Sequence, residues 1–502
     1  MLVKIFHSPL SMVAEDNLIL SLKNRDKSQK HIIVTPDKKS LYYEKRMFSL
    51  LNEDAFFDVT TTTLSRFANK INNKNERILT KQGGVLIIKK ILNDHINELK
   101  SFGKSCNMVG FASALYDTIC MFKSCNVPYI DIDKCKNNYL TNKLNDIKFV
   151  YEKYEEYLKN DYTDSFNRLS LCAKNISKEN FKDVNVYFVG FDDFTKQSYY
   201  IIDKLIKCSA SVNFAVAYGK GIEGKHNSNI YLNAVYYAVV DLAKSNMAEL
   251  KFETSKPNIN KEKNHMLNNV FGYGLTKYNG DNNYVKLYKY ETIEDEVKNT
   301  VQQIKYSIIN NNLRYNNFAI VVSNFNTYKN LLLKYLKQYD INYFLDEAVL
   351  LKDTAIARYL SNYLSVAIKP NKYNIIALIK SPFGIDNYAD LEEFESYVDA
   401  VDLSDYSLLK YSKNNTIVEF LSKVSKFVTG SGNCKTISDF CKLVREYILN
   451  DEFEAKLQKL QEQTYLTGDL YNYRILSQSY EKLNNIFNEF QVVEGSNCSP
   501  QE

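Results

Sequence analysis

Residues 31–68, HIIVTPDKKSLYYEKRMFSLLNEDAFFDVTTTTLSRFA, hold two short apolar runs, each followed by a helical pattern. His31–Val34 reads as a buried strand. Thr35-Pro36-Asp37 ends it, because Pro36 lacks a ladder donor and sets a turn. A helix is expected from Ser40 to Leu51 and a further strand at Phe57–Thr60. Alternation of this kind predicts βαβ units and a parallel sheet, so the fold class is α/β. Upstream, Leu2–Phe6 is another short apolar run, followed by a Ser-Pro break and a helical pattern from Val13 to Leu22. Downstream, stretches 81–100, 107–124, 139–160 and 164–177 repeat at the helical period without a convincing strand between them. They read as a helical insertion at about residues 80–180. The sheet resumes at Asn185–Gly190, with a helix at Thr195–Lys207 and a strand at Ser211–Ala217.

The rest of the chain divides by composition. Thr254–Asn283, rich in Asn, Gly and Lys, is expected to be a linker (254–283) between a first domain at 1–253 and a second α/β block at 284–354. In that block Tyr284–Tyr290, Asn317–Val322 and Asn342–Leu345 read as strands, and Ile293–Ile309 and Thr327–Gln338 as helices. From residue 355 to 502 the pattern is helical throughout and reads as a truncated helical domain.

With 502 residues, 45% apolar and 25% charged, the composition is that of a globular protein with more than one core. Only 16 Gly and 7 Pro exclude a collagen-like or linker-dominated chain. A net charge of +5 is compatible with binding nucleic acid but does not argue for it alone. The nine cysteines, with x4 and x6 as the closest spacings, form neither a zinc pattern nor a disulfide framework, and reduced thiols are expected. Lys4, Glu15 and Asp16 interrupt the first 22 residues, and Asn233 and Asp241 break the apolar stretch Ile230–Ala243. The expectation is a cytoplasmic protein with no membrane partner.

Little chemistry can be assigned from motifs. The join Phe6–Ala14 has no Gly, no Lys and no hydroxyl residue at its end, so nothing there could curl around a phosphate or hold magnesium. Asp192-Asp193 follows a strand, but without a phosphate cradle it reads as turn chemistry before a helix starting at Thr195. The five His are scattered, and no catalytic residue and no cofactor or metal site is expected. Thr60–Ala68 is more suggestive: a strand ends in hydroxyl residues and a helix begins with Arg66 in its first turns. Free N–H groups, hydroxyls and a cation on one side suit a phosphodiester. A plain Thr cap with a solvated Arg is the alternative.

Several ordered segments resemble the N-terminal half of the AddB family, the B subunits of bacterial AddAB helicase–nucleases (also RexB-like). They are HIIVTPDKKSLYYEKRMF (31–48), VTTTTLSRFANKI (59–71), LTKQGGVLIIKKIL (79–92), VYFVGFDDFTKQSYYIIDKLI (186–206), YKYETIEDEVKNTVQQIK (288–305), RYNNFAIVVSNFNTYKNLLLKYLKQYDINYFLDE (314–347) and IIALIKSPFGI…LEEFESYV (375–398). The resemblance implies two RecA-like domains in the superfamily 1 helicase arrangement, with large helical insertions. It also implies an AddA-type motor partner, a channel for single-stranded DNA and a role in double-strand break repair. Carried over by position, Lys38, Ser40, Ser65, Arg66, Phe191 and Phe194 are the candidate DNA-binding residues. Lys38 stands where a Gln is common, Leu64 where a Phe stacks, and Asn69 where an aromatic is common, so backbone binding is expected without sequence reading. The family's phosphate loop, its nuclease motif and the four cysteines of its iron–sulfur cluster have no counterpart in these residues. The resemblance therefore implies an ATPase-inactive subunit; a protein-interaction scaffold that docks on an AddA-type partner without touching DNA is the alternative.

Overall fold

The structure, a computed structural model, describes residues 1–72, 77–106, 108, 110–134, 140–158, 162–219, 233–269, 276–281, 284–345, 349–400, 411 and 413–492. The chain separates into two compact units, one made of Met1–Asn258 with Leu350–Glu502 and the other of Ile259–Val349. The tail 493–502 lies outside the described residues.

The first unit opens with β1 (Leu2–Ser8), α1 (Ser11–Ser21), β2 (Lys30–Thr35), α2 (Ser40–Leu51), β3 (Val59–Thr63) and α3 (Leu64–Asn72). The insertion comprises β4 (Arg77–Ile78), α4 (Lys81–Asp94), α5 (Phe111–Ser124), α6 (Thr141–Leu158), β5 (Tyr162–Thr163), α7 (Ser165–Asn175) and α8 (Lys178–Phe181). The sheet is completed by β6 (Val184–Phe188), α9 (Lys196–Cys208), β7 (Ser211–Ala217), α10 (Ala234–Ser245) and β8 (Glu249–Thr254). Six strands lie in the order β3-β2-β6-β7-β1-β8, every pairing parallel. The α/β expectation holds. The third strand is shifted from Phe57–Thr60 to β3, and Phe57 is 98% exposed. β8 was not foreseen, since ELKFET carries the charges of an edge strand rather than an apolar run.

Central strands read as nearly continuous apolar runs because both faces of the sheet are covered. Val3, Ile5, Val186, Phe188, Val212 and Phe214 pack on one face against residues of α3, α7, α9 and α10. Phe6, Ile33, Tyr187, Val189 and Ala215 pack on the other against α1 and α2. The insertion has its own core, built from Ile87, Ile88, Ile119, Val150 and Tyr154 on α4, α5 and α6. Gly84 belongs to the face of α4 against α5: a Cβ there would lie 2.2 Å from the Tyr116 ring, which explains a residue that otherwise weakens a helix.

The second unit contains α11 (Lys261–Asn269), α12 (Ile293–Asn311) and α13 (Phe325–Gln338). α11 falls inside the expected linker. α12 and α13 match their expected helices closely and share a core of Val297, Val301, Leu332, Tyr335, Leu336 and Ile341. The expected strands at Tyr284–Tyr290, Asn317–Val322 and Asn342–Leu345 are not formed among the described residues. Leu287, Val321 and Phe344 are 98%, 91% and 89% exposed. An apolar run becomes a strand only when a neighbour is aligned to take its hydrogen bonds, and periodicity cannot report that neighbour. Here the stretch Phe318–Val322 borders a cavity of about 430 Å³ with Val297, Ile304 and Leu332.

The chain then returns to the first unit with α14 (Ala355–Ile368), α15 (Lys372–Ile379), α16 (Tyr388–Ala400), α17 (Asn415–Asn433), α18 (Ile437–Tyr447), α19 (Asp451–Leu466) and α20 (Leu470–Val492). Thr354, Asn371, Asn414, Thr436 and Asn450 each accept a backbone N–H at the start of α14, α15, α17, α18 and α19, satisfying donors the helix leaves free. Their common core includes Tyr363, Phe383, Phe394, Phe427 and Phe453. α20 also reaches back to the insertion. The Glu489 carboxylate accepts the Thr80 hydroxyl and the Gly83 N–H (3.2 Å), so it caps α4 from about four hundred residues away.

Candidate nucleic-acid interface

Because all six strands run the same way, the loops that follow β1, β2, β3, β6 and β7 emerge along one edge of the sheet. In open α/β sheets this carboxyl edge is where ligands bind. Register fixes the arrangement: Thr35 at the end of β2 lies opposite Thr63 at the end of β3, and Val34 opposite Phe188 on β6. The segments carrying Lys38 and Ser40, Ser65 and Arg66, and Phe191 and Phe194 are thereby brought to one edge although they are far apart in sequence.

On β3–α3 the Thr63 hydroxyl accepts the Arg66 N–H at 3.3 Å, so the strand's last residue caps the helix. The Ser65 and Arg66 side chains are exposed beside it, and Arg66 has no side-chain hydrogen bond or ion pair among the described residues. The cap and the free cation coexist. After β2, Pro36 leads into a tight turn of Asp37–Lys39, and Lys38 and Lys39 are exposed. Lys39 reaches the Gly190 carbonyl (3.3 Å) and the Asp192 carboxylate (3.9 Å), tying the β2 loop to the β6 loop. Ser40, by contrast, is 8% exposed at the start of α2.

The loop after β6 turns at Gly190, where φ is +79° and a Cβ would strike the Tyr43 hydroxyl at 2.3 Å and its ring at 2.5 Å; both demand glycine. Phe194 is buried, forming an edge contact with Phe188 and stacking with Phe191 at 4.7 Å. Phe194 is therefore a core residue, and only the half-buried Phe191 retains an accessible surface. The Asp193 carboxylate accepts the Phe194 N–H at 2.7 Å and Thr195 caps α9 through the Ser198 N–H at 3.2 Å, the turn-and-helix-start role read from the sequence.

The β1–α1 join, Ser8-Pro9-Leu10, bears no glycine, and α1 begins without a side-chain cap. Behind it Glu15 is buried on α1 and accepts the Tyr43 hydroxyl at 3.0 Å. Burial raises its carboxyl above the usual range, partly offset by that hydrogen bond and by Lys39. The pair supplies a carboxylate and a phenol rather than the N–H groups and cation that bind a phosphate. Among the described residues no three His, Cys, Asp or Glu side chains are grouped to hold a metal ion, and the seven described cysteines form no disulfide with one another.

Sequence reasoning missed a ring cluster on the β1–β7–β8 side of this edge: His7, Tyr218, Tyr236, Tyr237 and Phe252. The signal was present as Tyr236-Tyr237 and as a Tyr directly after β7, but only the register of β1 with β7 and β8 assembles them.

A six-stranded parallel sheet with a helical insertion is consistent with a helicase-like α/β fold. The chain belongs to the family described as "ADDB, N-terminal", whose model matches residues 12–270. It is similar to the B subunit of the ATP-dependent helicase/deoxyribonuclease of Clostridium botulinum strain Langeland, with 23% identity covering 94% of this chain and 45% of the relative. The protein of the same name from Caldanaerobacter subterraneus is 21% identical over 87% of this chain and 41% of its own length. That of Clostridium tetani is 24% identical over 75% and 35%. The chain thus spans less than half the length of these relatives. No described helix is long and apolar enough to cross a membrane.

Proposed function

We propose that this chain is the strand-binding, ATPase-inactive part of an AddB-type subunit, working with an AddA-type motor in double-strand break processing and recombinational repair. The observation that carries the reading is the exposed Arg66, held at the Thr63-capped start of α3 on the same sheet edge as Lys38 and Lys39. Cations, a hydroxyl in Ser65 and a helix start facing the same way contact phosphodiester oxygens without reading bases. The glycine-free β1–α1 join and the Glu15–Tyr43 pair do not fit a nucleotide phosphate, which supports strand binding without hydrolysis.

The test is fluorescence anisotropy of a labelled single-stranded 20-mer at two salt concentrations. Wild-type binding should weaken as salt rises, and Arg66→Ala with Lys38→Ala should weaken it by about tenfold while flattening the log K against log salt slope by about 1 to 2. No binding by wild type at low salt would replace this reading with the scaffold that docks on its partner and touches no DNA. DNA-stimulated ATP hydrolysis lost on mutating the Ser8–Leu10 join would overturn the inactive part alone.

A further inference from the structure

The strand-binding reading uses the β2–β3–β6 side of the edge and leaves the ring cluster on the β1–β7–β8 side without a role. Tyr218 and Tyr236 stack at 4.0 Å between centroids. Tyr237 stands edge-on to Tyr218 at 6.2 Å, Phe252 lies 6.1 Å from Tyr236, and His7 closes the base edge-on to Tyr218 at 5.3 Å. Tyr237 and Phe252, at the flanks, are 47% and 46% exposed.

The rings are held from behind. Asn233, fully buried, clamps Gly219 with both amide atoms, accepting its N–H at 3.1 Å and donating to its carbonyl at 3.0 Å. The Tyr218 N–H donates to the Ser8 carbonyl at 2.8 Å. His7 Nε2 lies 2.9 Å from the Thr254 hydroxyl, and burial holds the His7 ring toward its neutral form. Rings fixed this way lose little entropy when a flat ligand covers them. The outward members are aromatic rather than aliphatic, and Lys256 is exposed just past the end of β8. π faces beside a cation on a carboxyl edge match a base and its phosphate better than a protein face.

We propose that Tyr237 and Phe252, backed by Tyr218, Tyr236 and His7, form a stacking platform for the nucleobases of a single strand. The platform is indifferent to sequence, because every base has a π face. It rests on the strand-binding reading and adds to it a second contact that needs bases rather than phosphates.

The experiment uses the full chain with fluorescein-labelled (dT)20 and a 20-mer of the same backbone carrying abasic spacers. Wild type should bind the abasic strand about tenfold or more weakly. Tyr237→Ala with Phe252→Ala should lose about the same on (dT)20 and nothing further on the abasic strand, while Tyr237→Phe keeps wild-type affinity. Independently of any variant, ultraviolet cross-linking of wild type to a 5-iodouracil 20-mer should place the adduct on Tyr218, Tyr237 or Phe252 by mass spectrometry. Equal affinity for both strands, or adducts confined to other segments, would overturn the platform while leaving phosphate binding at Arg66 intact. No binding to either strand would remove both readings. Displacement of (dT)20 from wild type by free ATP, with no such displacement from Tyr237→Ala, would assign the rings to a nucleotide and overturn the strand platform.

Discussion

Arg25 shows how single side chains hold the sheet end. Its guanidinium side chain is 2% exposed and bonds Glu53 (2.8 and 2.9 Å) and Asp58 (2.5 and 3.1 Å), with the Phe56 ring at 5.3 Å. Hydrogen bonds from Arg25 hold both carboxyls below their usual range. Groups depressed in the folded state contribute stability above their unfolded values, near pH 4, and lose it as pH falls through the folded ones. Melting temperatures of wild type and Arg25→Gln should therefore differ most above about pH 5 and converge toward about pH 3. Lys123 makes the complementary case in the insertion. Its ammonium, in a side chain 3% exposed, meets Asp164 (2.5 Å) and Glu155, while Asp164 also caps α7 through the Asn167 N–H at 2.7 Å. Lys123→Met strands the buried Asp164 carboxylate, with the partly exposed Glu155 beside it, and should cost about 3–5 kcal/mol, read as a lower melting temperature. Adding Asp164→Asn, which keeps a good cap, should recover part of the loss.

At the scale of elements, the glycine pair in α4 separates local preference from packing. Gly84→Ala improves helix propensity by about 1 kcal/mol. Its Cβ nevertheless falls within 2.2 Å of the Tyr116 ring, and overpacking of this kind costs about 1–3 kcal/mol. The expected outcome is net destabilisation in a thermal melt, relieved when Tyr116→Leu is added. A stable Gly84→Ala variant with an unchanged melt would mean that α4 and α5 do not pack this closely. The helix start at Thr195 was read from residue type, and the caps at Thr354, Asn371 and Thr436 obey the same local rule. The Glu489 cap on α4 does not, because no local rule links residues four hundred apart.

At the scale of the whole molecule, the two units differ in the size of what they bury. Among the described residues the second unit has a core of six buried residues from α12, α13 and the turn after it, whereas the sheet of the first is packed on both faces. Local opening follows buried apolar contact, so backbone amides of α12 and α13 should exchange with deuterium well before those of β1 and β7. Equal protection would show that the second unit is held by contacts other than this core. The sequence by itself determined the α/β class, the helical insertion, the helices of the second block and the positions of Lys38, Ser65 and Arg66 at element ends, because periods of 2 and 3.6 and capping chemistry are local. Only the tertiary structure decided that Ser40 and Phe194 are buried, that Tyr284–Tyr290 and Asn317–Val322 form no ladder among the described residues, and that His7, Tyr218, Tyr237 and Phe252 meet on one edge. Burial and strand pairing depend on which distant segment arrives opposite, and sequence periodicity carries no record of that neighbour.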